Sequence, residues 1–249
     1  MTRSIETTEA FEVFVGGDGE SPIVITCEHA SADLPSGFVW ADEDAWIRDT
    51  HWAFDLGAEA VVRELAEALG AHAVVARFTR LVCDANRAVD DPSMFRARAE
   101  GQPVWLNAGL TASDAAARQD RLWRPYHDAV ARTLARVPGR VVLSVHTFTP
   151  LYEGATRDVE VGVLYDRADD LAIDWSVALT DRGLRVWLNE PYSGKEGLIF
   201  SGEHHARQSG REALELELRN DLASDAAWRA VNVPRIAAAL LEAMSGTLE

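Results

Sequence analysis

The chain has 249 residues, 47% of them hydrophobic and 26% charged, enough apolar material for a core of ordinary domain size and too much for disorder to be the main state. Lysine plus arginine number 24 against 40 aspartates plus glutamates, a formal net charge of −16, so the mean surface field repels phosphate backbones and anionic lipid, and neither nucleic acid nor a membrane is an expected partner. Cys27 and Cys83 fall in apolar runs that suit reduced buried thiols, MTRSIETTEA lacks a signal-like apolar stretch, and no run nears the roughly 18 apolar residues that cross a bilayer, so a cytoplasmic protein is expected.

Short β-branched and aliphatic runs alternate with longer helical patterns, which predicts an α/β fold. Residues 22–29, PIVITCEH, read as a buried strand ending in polar groups. From Asp55 to Gly70, Leu56, Ala60, Val61, Leu65 and Ala68 recur at helical spacing, and Gly70 is a natural stop. His72 to Val82 reads as one or two extended segments interrupted by Arg77, running into CDANRA. Residues 90–109, with Pro92, Gly101, Pro103 and Gly109, are long for a loop and form a candidate lid. A long helix is predicted over 111–137, opened by a capping-box pair, Thr111 and Asp114, and kinked or restarted at Pro125. VVLSVH (141–146) is a second buried strand that ends in a histidine. Further strands are expected at 159–165, 184–188 and 213–219, with helices near 169–183 and 224–245. Without repeats or a linker-like tract, one domain over 1–249 is the simplest organisation.

In α/β sheets the carboxyl ends of strands open into the ligand crevice. Three such ends carry chemistry: Glu28 and His29, then Asp84, Asn86 and Arg87, then His146. No HExxH, CxxC or P-loop is present, so a metal site must be assembled from dispersed ligands. A hydrolytic zinc takes about three protein ligands and keeps one position open. His29 and His146 supply two. For the third, Asp49 and His51 of RDTHW and Glu28 compete. Asp49 is preferred, because adjacent residues on a strand point to opposite faces and Glu28 can join His29 only if the strand has already turned. In ALELELR the leucines share one face and Glu215, Glu217 and Arg219 the other. A glutamate there suits a general base that takes a proton from water and returns it to a leaving amine. Arg80, Asp84, Asn86 and Arg87 lie within eight residues, and a guanidinium there can grip a carboxylate through paired hydrogen bonds. The bland readings are that the histidines are satisfied core residues, that the glutamates form a solvated strand face, and that DANR is a capped turn. Arg77, Arg96 and Arg98 need no special role. His72, His127, His204 and His205 stay unassigned, and Cys27 reads as packing.

Seven segments in order, PIVITCEHASADLP, DTHWAFDLGA, TRLVCDANRA, WRPYHDAV, LSVHTF, NEPYSG and LELELRNDL, together resemble the N-formylglutamate amidohydrolase family, zinc-dependent amide hydrolases related to the metallocarboxypeptidases. The likeness spans most of the chain. It implies a mixed central sheet flanked by helices, of the phosphorylase/hydrolase-like, zinc carboxypeptidase-like type. It implies one zinc ion at strand ends on His29 and His146, Glu217 rather than Glu215 as the carboxylate that activates water, and Asn86 with Arg87 on a substrate carboxylate, with Arg80 beside them. The expected substrate is a small anionic acyl-amino acid, best matched by N-formyl-L-glutamate, split to formate and glutamate. Glu28 stands where members acting on formylglutamate tend to have proline before the first histidine, and His51 where they tend to have a second aspartate, which implies a divergent branch. The alternatives are a hydrolase of another acyl-amino acid or peptide, and a non-catalytic relative that binds a small acid or a partner protein.

Overall fold

A computed structural model describes residues 1–152 and 154–246. In chain order it has β1 (Arg3–Thr7), β2 (Phe11–Val15), β3 (Ile23–Cys27), α1 (Ala58–Leu69), β4 (His72–Ala76), the short pair β5 (Arg98–Ala99) and β6 (Gln102–Pro103), α2 (Ala112–Arg118), α3 (Arg124–Arg136), β7 (Val141–Phe148), the short pair β8 (Leu151–Tyr152) and β9 (Ala155–Thr156), β10 (Val161–Leu164), α4 (Asp169–Asp181), β11 (Val186–Leu188), α5 (Phe200–Ser209), β12 (Glu212–Arg219), α6 (Asn220–Ser224) and α7 (Ala226–Gly246). Eight strands form one mixed sheet in the order β1-β2-β4-β3-β7-β12-β10-β11. The four central strands β4, β3, β7 and β12 are parallel, and antiparallel pairings join them to β2 and to β10. The fold is therefore α/β with a mixed central sheet between helices.

The central strands are buried along nearly their whole length because both faces are covered. On one face Ile23, Ile25, Leu143, Leu214 and Leu216 pack with α1, α4 and α7 through Val61, Leu65, Trp175, Ile236 and Leu240. On the other, Val24, Val74 and Val142 pack with α3 and α5 through Tyr126, Val130, Leu134 and Ala206. Gly202 lets α5 approach the sheet, since a Cβ there would stand 2.9 Å from the Ser144 hydroxyl oxygen.

Several elements depart from the sequence reading in instructive ways. The N-terminal hairpin β1–β2 extends the sheet, with β2 fully buried against β4. The extended stretch after His72 ends at Ala76, and residues 79–84 turn instead through Thr79 and the bond from Val82 N to Thr79 O at 3.0 Å. Residues 200–209, given no element in the sequence reading, form helix α5 around Glu203 and His205. Helix α1 begins at Ala58, after Gly57 at φ 83°, which leaves Asp55 in the preceding loop. The Thr111–Asp114 capping box is present, and a π-helical turn over 119–123 precedes α3, which accepts Pro125 in its first turn. Cys27 and Cys83 are free and buried. Among the described residues no helix is long and apolar enough to cross a membrane.

Candidate active site

The carboxyl ends of β3 and β7 bring His29 and His146 together. β7 runs on to Phe148, while the chain leaves the sheet after Cys27, so His29 is free to turn toward its neighbour. Their Nδ1 atoms are 3.1 Å apart. Asp55 completes the group: its backbone N–H donates to His29 O at 2.9 Å, and its Oδ2 lies 2.8 Å from His146 Nδ1 and 3.6 Å from His29 Nδ1. The Thr147 N–H also donates to Asp55 Oδ2, at 3.2 Å. His29, Asp55 and His146 are all buried, with one ligand atom each within 4.8 Å of the others.

The far side of each ring sets its tautomer. His29 Nε2 faces Asp84 Oδ1 at 2.7 Å, and His146 Nε2 faces Glu28 Oε2 at 2.9 Å. Carboxylates only accept, so both Nε2 atoms carry a proton, and both Nδ1 atoms face inward, where His146 Nδ1 also donates to Asp55 Oδ2 while no cation is bound. Once zinc displaces the proton that His146 Nδ1 shares with Asp55, the two Nδ1 atoms and the Asp55 oxygen offer three donor atoms to one cation. Carboxylate–imidazole pairs of this kind orient metal-binding histidines. Burial pulls the His146 pKa down, but Glu215, Asp55 and Glu28 outweigh it and raise it well above the ordinary histidine value. Burial likewise pushes the Asp55 carboxyl up, and the two imidazoles hold it well below the usual carboxylate range. The site thus attracts positive charge, and its donor set fits a divalent ion such as zinc.

A further layer holds these partners. Tyr126 Oη donates to Glu28 Oε1 at 2.8 Å, and Glu28, despite burial, is lowered to about 2, chiefly by His146. Arg80 donates to Asp84 Oδ2 at 3.1 Å and to Asp55 Oδ1 at 3.5 Å. Asp84 Oδ1 also accepts from Asn86 N at 2.9 Å, which ties the DANR turn to the His29 ring. Behind that turn, His127 lies between Ala85 O at 3.0 Å and His205 Nε2 at 2.8 Å, and burial lowers its pKa to about 3. His127 and His205 are therefore neutral support for the turn.

A cavity of about 270 Å³ opens beside the histidines, with Asn86, Arg87, Arg96, Tyr192, Glu215 and Glu217 on its walls. The parallel register sets Glu217 beside His146 and Glu215 beside Ser144. Both glutamates are buried and each has an Oε2 without a hydrogen-bond partner, so a solvated strand face is excluded. Burial lifts Glu215 to about 7. Burial, reinforced by Glu215, lifts Glu217 well above its usual value. The Asn86 Oδ1 accepts from Ser201 N at 2.9 Å, which leaves its NH2 end to a ligand, and Arg87 donates to Asn86 O at 3.1 Å. A second pocket of about 580 Å³ adjoins this cavity and shares His51, Trp52, Arg96 and Tyr152 with it.

Two expectations are corrected. Asp49 is not part of the group: its side chain is 81% exposed and pairs with Arg48 at 3.1 Å, whereas Asp55, six residues on, reaches the histidines. Glu28 and His51, the competitors for that place, also stand outside the convergent three. Glu28 lies behind His146, and half-buried His51 lines the cavity wall against Trp52. Arg80 reaches the cavity but is committed to Asp84 and Asp55. Asp55 was visible as the second aspartate of DTHWAFD, just ahead of a glycine turn. From residues 90–109, Arg96 stands in the cavity wall and Arg98–Gly101 line the adjoining pocket.

A strand-end crevice, a convergent His–Asp–His group and buried carboxylates facing one cavity form a site that can hold a cation beside a proton-accepting carboxylate, as a metal-dependent hydrolase requires. The family model for N-formylglutamate amidohydrolase matches residues 21–224, so the chain belongs to that family. An N-formylglutamate deformylase of Pseudomonas aeruginosa PAO1 is 25% identical over 227 residues, covering 80% of this chain and 81% of the relative. That of Pseudomonas putida is 28% identical over 167 residues, and the match spans 60% of its length. Among solved structures, a gene product of Agrobacterium tumefaciens superposes with TM-score 0.88 at 31% identity over 96% of each chain. The N-formylglutamate amidohydrolase of Ralstonia eutropha JMP134 shares the fold, with TM-score 0.65 at 20% identity over 96% of this chain and 98% of that one.

Proposed function

We propose that this chain hydrolyses N-formyl-L-glutamate to formate and glutamate, using one zinc ion held by His29, Asp55 and His146. The observation that carries this reading is the convergence of two Nδ1 atoms and a carboxylate oxygen, all buried and within 4.8 Å of one another. Family membership and the name of the Pseudomonas aeruginosa relative support the substrate. Zinc bound there supplies a Lewis acid for the acyl oxygen and makes the attacking water more acidic. Glu217 Oε2 takes one proton from that water and delivers it to the amide nitrogen as the C–N bond breaks, and the remaining acid proton of the nascent formic acid passes to the released amine, so formate and glutamate leave. Its burial beside Glu215 raises its basicity, which suits that transfer. The Asn86 NH2 and the Arg87 guanidinium hold the α-carboxylate, while Arg80 keeps Asp84 and Asp55 in place. The free buried thiols suit a cytoplasmic setting.

Formate release from N-formyl-L-glutamate by the zinc-loaded chain tests the proposal. Glu217→Gln is expected to retain zinc and lose turnover by roughly 10²- to 10⁴-fold. A near-normal rate for that variant, or no release by the zinc-loaded wild type, overturns it. The adjoining outer pocket favours a second reading, a hydrolase of acyl groups larger than formyl. A panel of N-formyl, N-acetyl and dipeptide substrates separates the two.

A further inference from the structure

We propose that Arg96 is a specificity-determining residue: held over Trp52 in the wall of the cavity, it binds the side-chain carboxylate of the substrate, so that Arg87 and Arg96 together select a dianion. This deepens the N-formylglutamate reading and rests on it. In a chain of net charge −16, two cavity arginines have no carboxylate at ion-pair distance among the described residues. Arg80 is paired twice, with Asp84 and Asp55. Among the described residues, Arg87 has no carboxylate at ion-pair distance and donates only to Asn86 O, and Arg96 has none either. The substrate's α-carboxylate accounts for one of these cations and the formyl group, being uncharged, for neither. A second carboxylate accounts for the other.

The setting of Arg96 is that of a positioned binding group. Its guanidinium carbon stands 4.9 Å from the centroid of the Trp52 ring. Stacking of this kind orients a guanidinium without occupying its N–H donors. Trp52 is itself held, its Nε1 donating to Glu100 Oε1 at 3.2 Å. The backbone is pinned as well: Asn107 Nδ2 donates to Arg96 O and to Leu81 O, each at 2.9 Å, and Arg118 donates to Asn107 Oδ1 at 2.5 Å. The side chain is half-buried, and burial, with Arg80 and Arg87 nearby and Asp84 opposing them, lowers its pKa.

The test compares wild type, Arg96→Gln and Arg96→Lys in two measurements. In steady-state kinetics of the zinc-loaded enzyme, Arg96→Gln is expected to lose roughly 10- to 100-fold in kcat/KM on N-formyl-L-glutamate, through KM, the size of a lost charge-assisted contact. Its rate on N-formyl-L-glutamine, whose side chain is neutral, is expected to stay within about twofold, and Arg96→Lys is expected to recover part of the loss. By calorimetry, glutarate is expected to bind the wild type and to weaken by the same factor in Arg96→Gln, while butyrate binding stays level. Equal losses on both formyl substrates, or glutarate binding that is absent or indifferent to the substitution, overturns the role of Arg96. If the wild type hydrolyses neither formyl substrate, the proposed reaction fails, and the glutarate and butyrate titrations still decide whether Arg96 reads a second carboxylate.

Discussion

Replacing Asp55 by Asn tests the identity of the third ligand with little change in shape. In the native site Asp55 Oδ2 lies 2.8 Å and 3.6 Å from the two Nδ1 atoms. The amide removes the only negative charge among the three convergent atoms and offers either a weaker carbonyl oxygen or an N–H pair that competes for the imidazole lone pairs. Loss of an outer carboxylate behind a metal-bound histidine costs about 10- to 100-fold in metal affinity, so loss of the inner carboxylate is expected to exceed about 100-fold, equivalent to about 2.7 kcal/mol. Asp49→Asn serves as the control, because that side chain is 81% exposed and pairs with Arg48; its zinc affinity is expected to match wild type. Competition with a chromophoric chelator measures both affinities, and circular dichroism checks that each variant folds. Wild-type affinity in Asp55→Asn, or a comparable loss in Asp49→Asn, refutes the reasoning.

Three further outcomes follow from the same geometry. Asp84→Asn removes the carboxylate that fixes the His29 tautomer and anchors Arg80, and zinc affinity in the chelator assay is expected to fall by about 10- to 100-fold. Because surrounding carboxylates raise the His146 pKa, the metal-free ring holds a proton that zinc must displace; zinc affinity is therefore expected to fall with decreasing pH, by up to about tenfold per unit for each proton displaced, in titrations across the acidic range. Gly162→Ala places a Cβ 2.1 Å from Glu190 O and 3.2 Å from the Glu217 Cβ. Relief requires backbone movement beside the general-base candidate, so denaturant unfolding is expected to show a loss of about 1–3 kcal/mol.

The buried strands and their polar ends were legible because the apolar runs at 22–27, 141–145 and 213–218 have no other use than a sheet covered on both faces. The two histidines followed from those ends. Asp55 was harder to see. The pattern from Leu56 to Ala68 reads as helix back to Asp55, and only the left-handed turn at Gly57 shows that the helix starts later and frees the carboxylate. Helix α5 was obscured by Gly202 and by polar residues, although the glycine is what permits its close packing on Ser144. Arg96 was invisible as a site residue, since its place in the cavity depends on Trp52, more than forty residues earlier, and on the Asn107 side chain that pins its carbonyl. The solvated reading of ALELELR failed for a related reason: a charged strand face can be buried when it lines a site.

Diffraction from zinc-loaded crystals, with anomalous data on both sides of the zinc edge, bears most directly on the metal centre. One peak is expected at roughly 2.0–2.2 Å from His29 Nδ1, His146 Nδ1 and an Asp55 oxygen, with both Nε2 atoms still facing Asp84 and Glu28. A peak coordinated by Asp49, by Glu28 or by either Nε2, or no bound zinc at all, contradicts it.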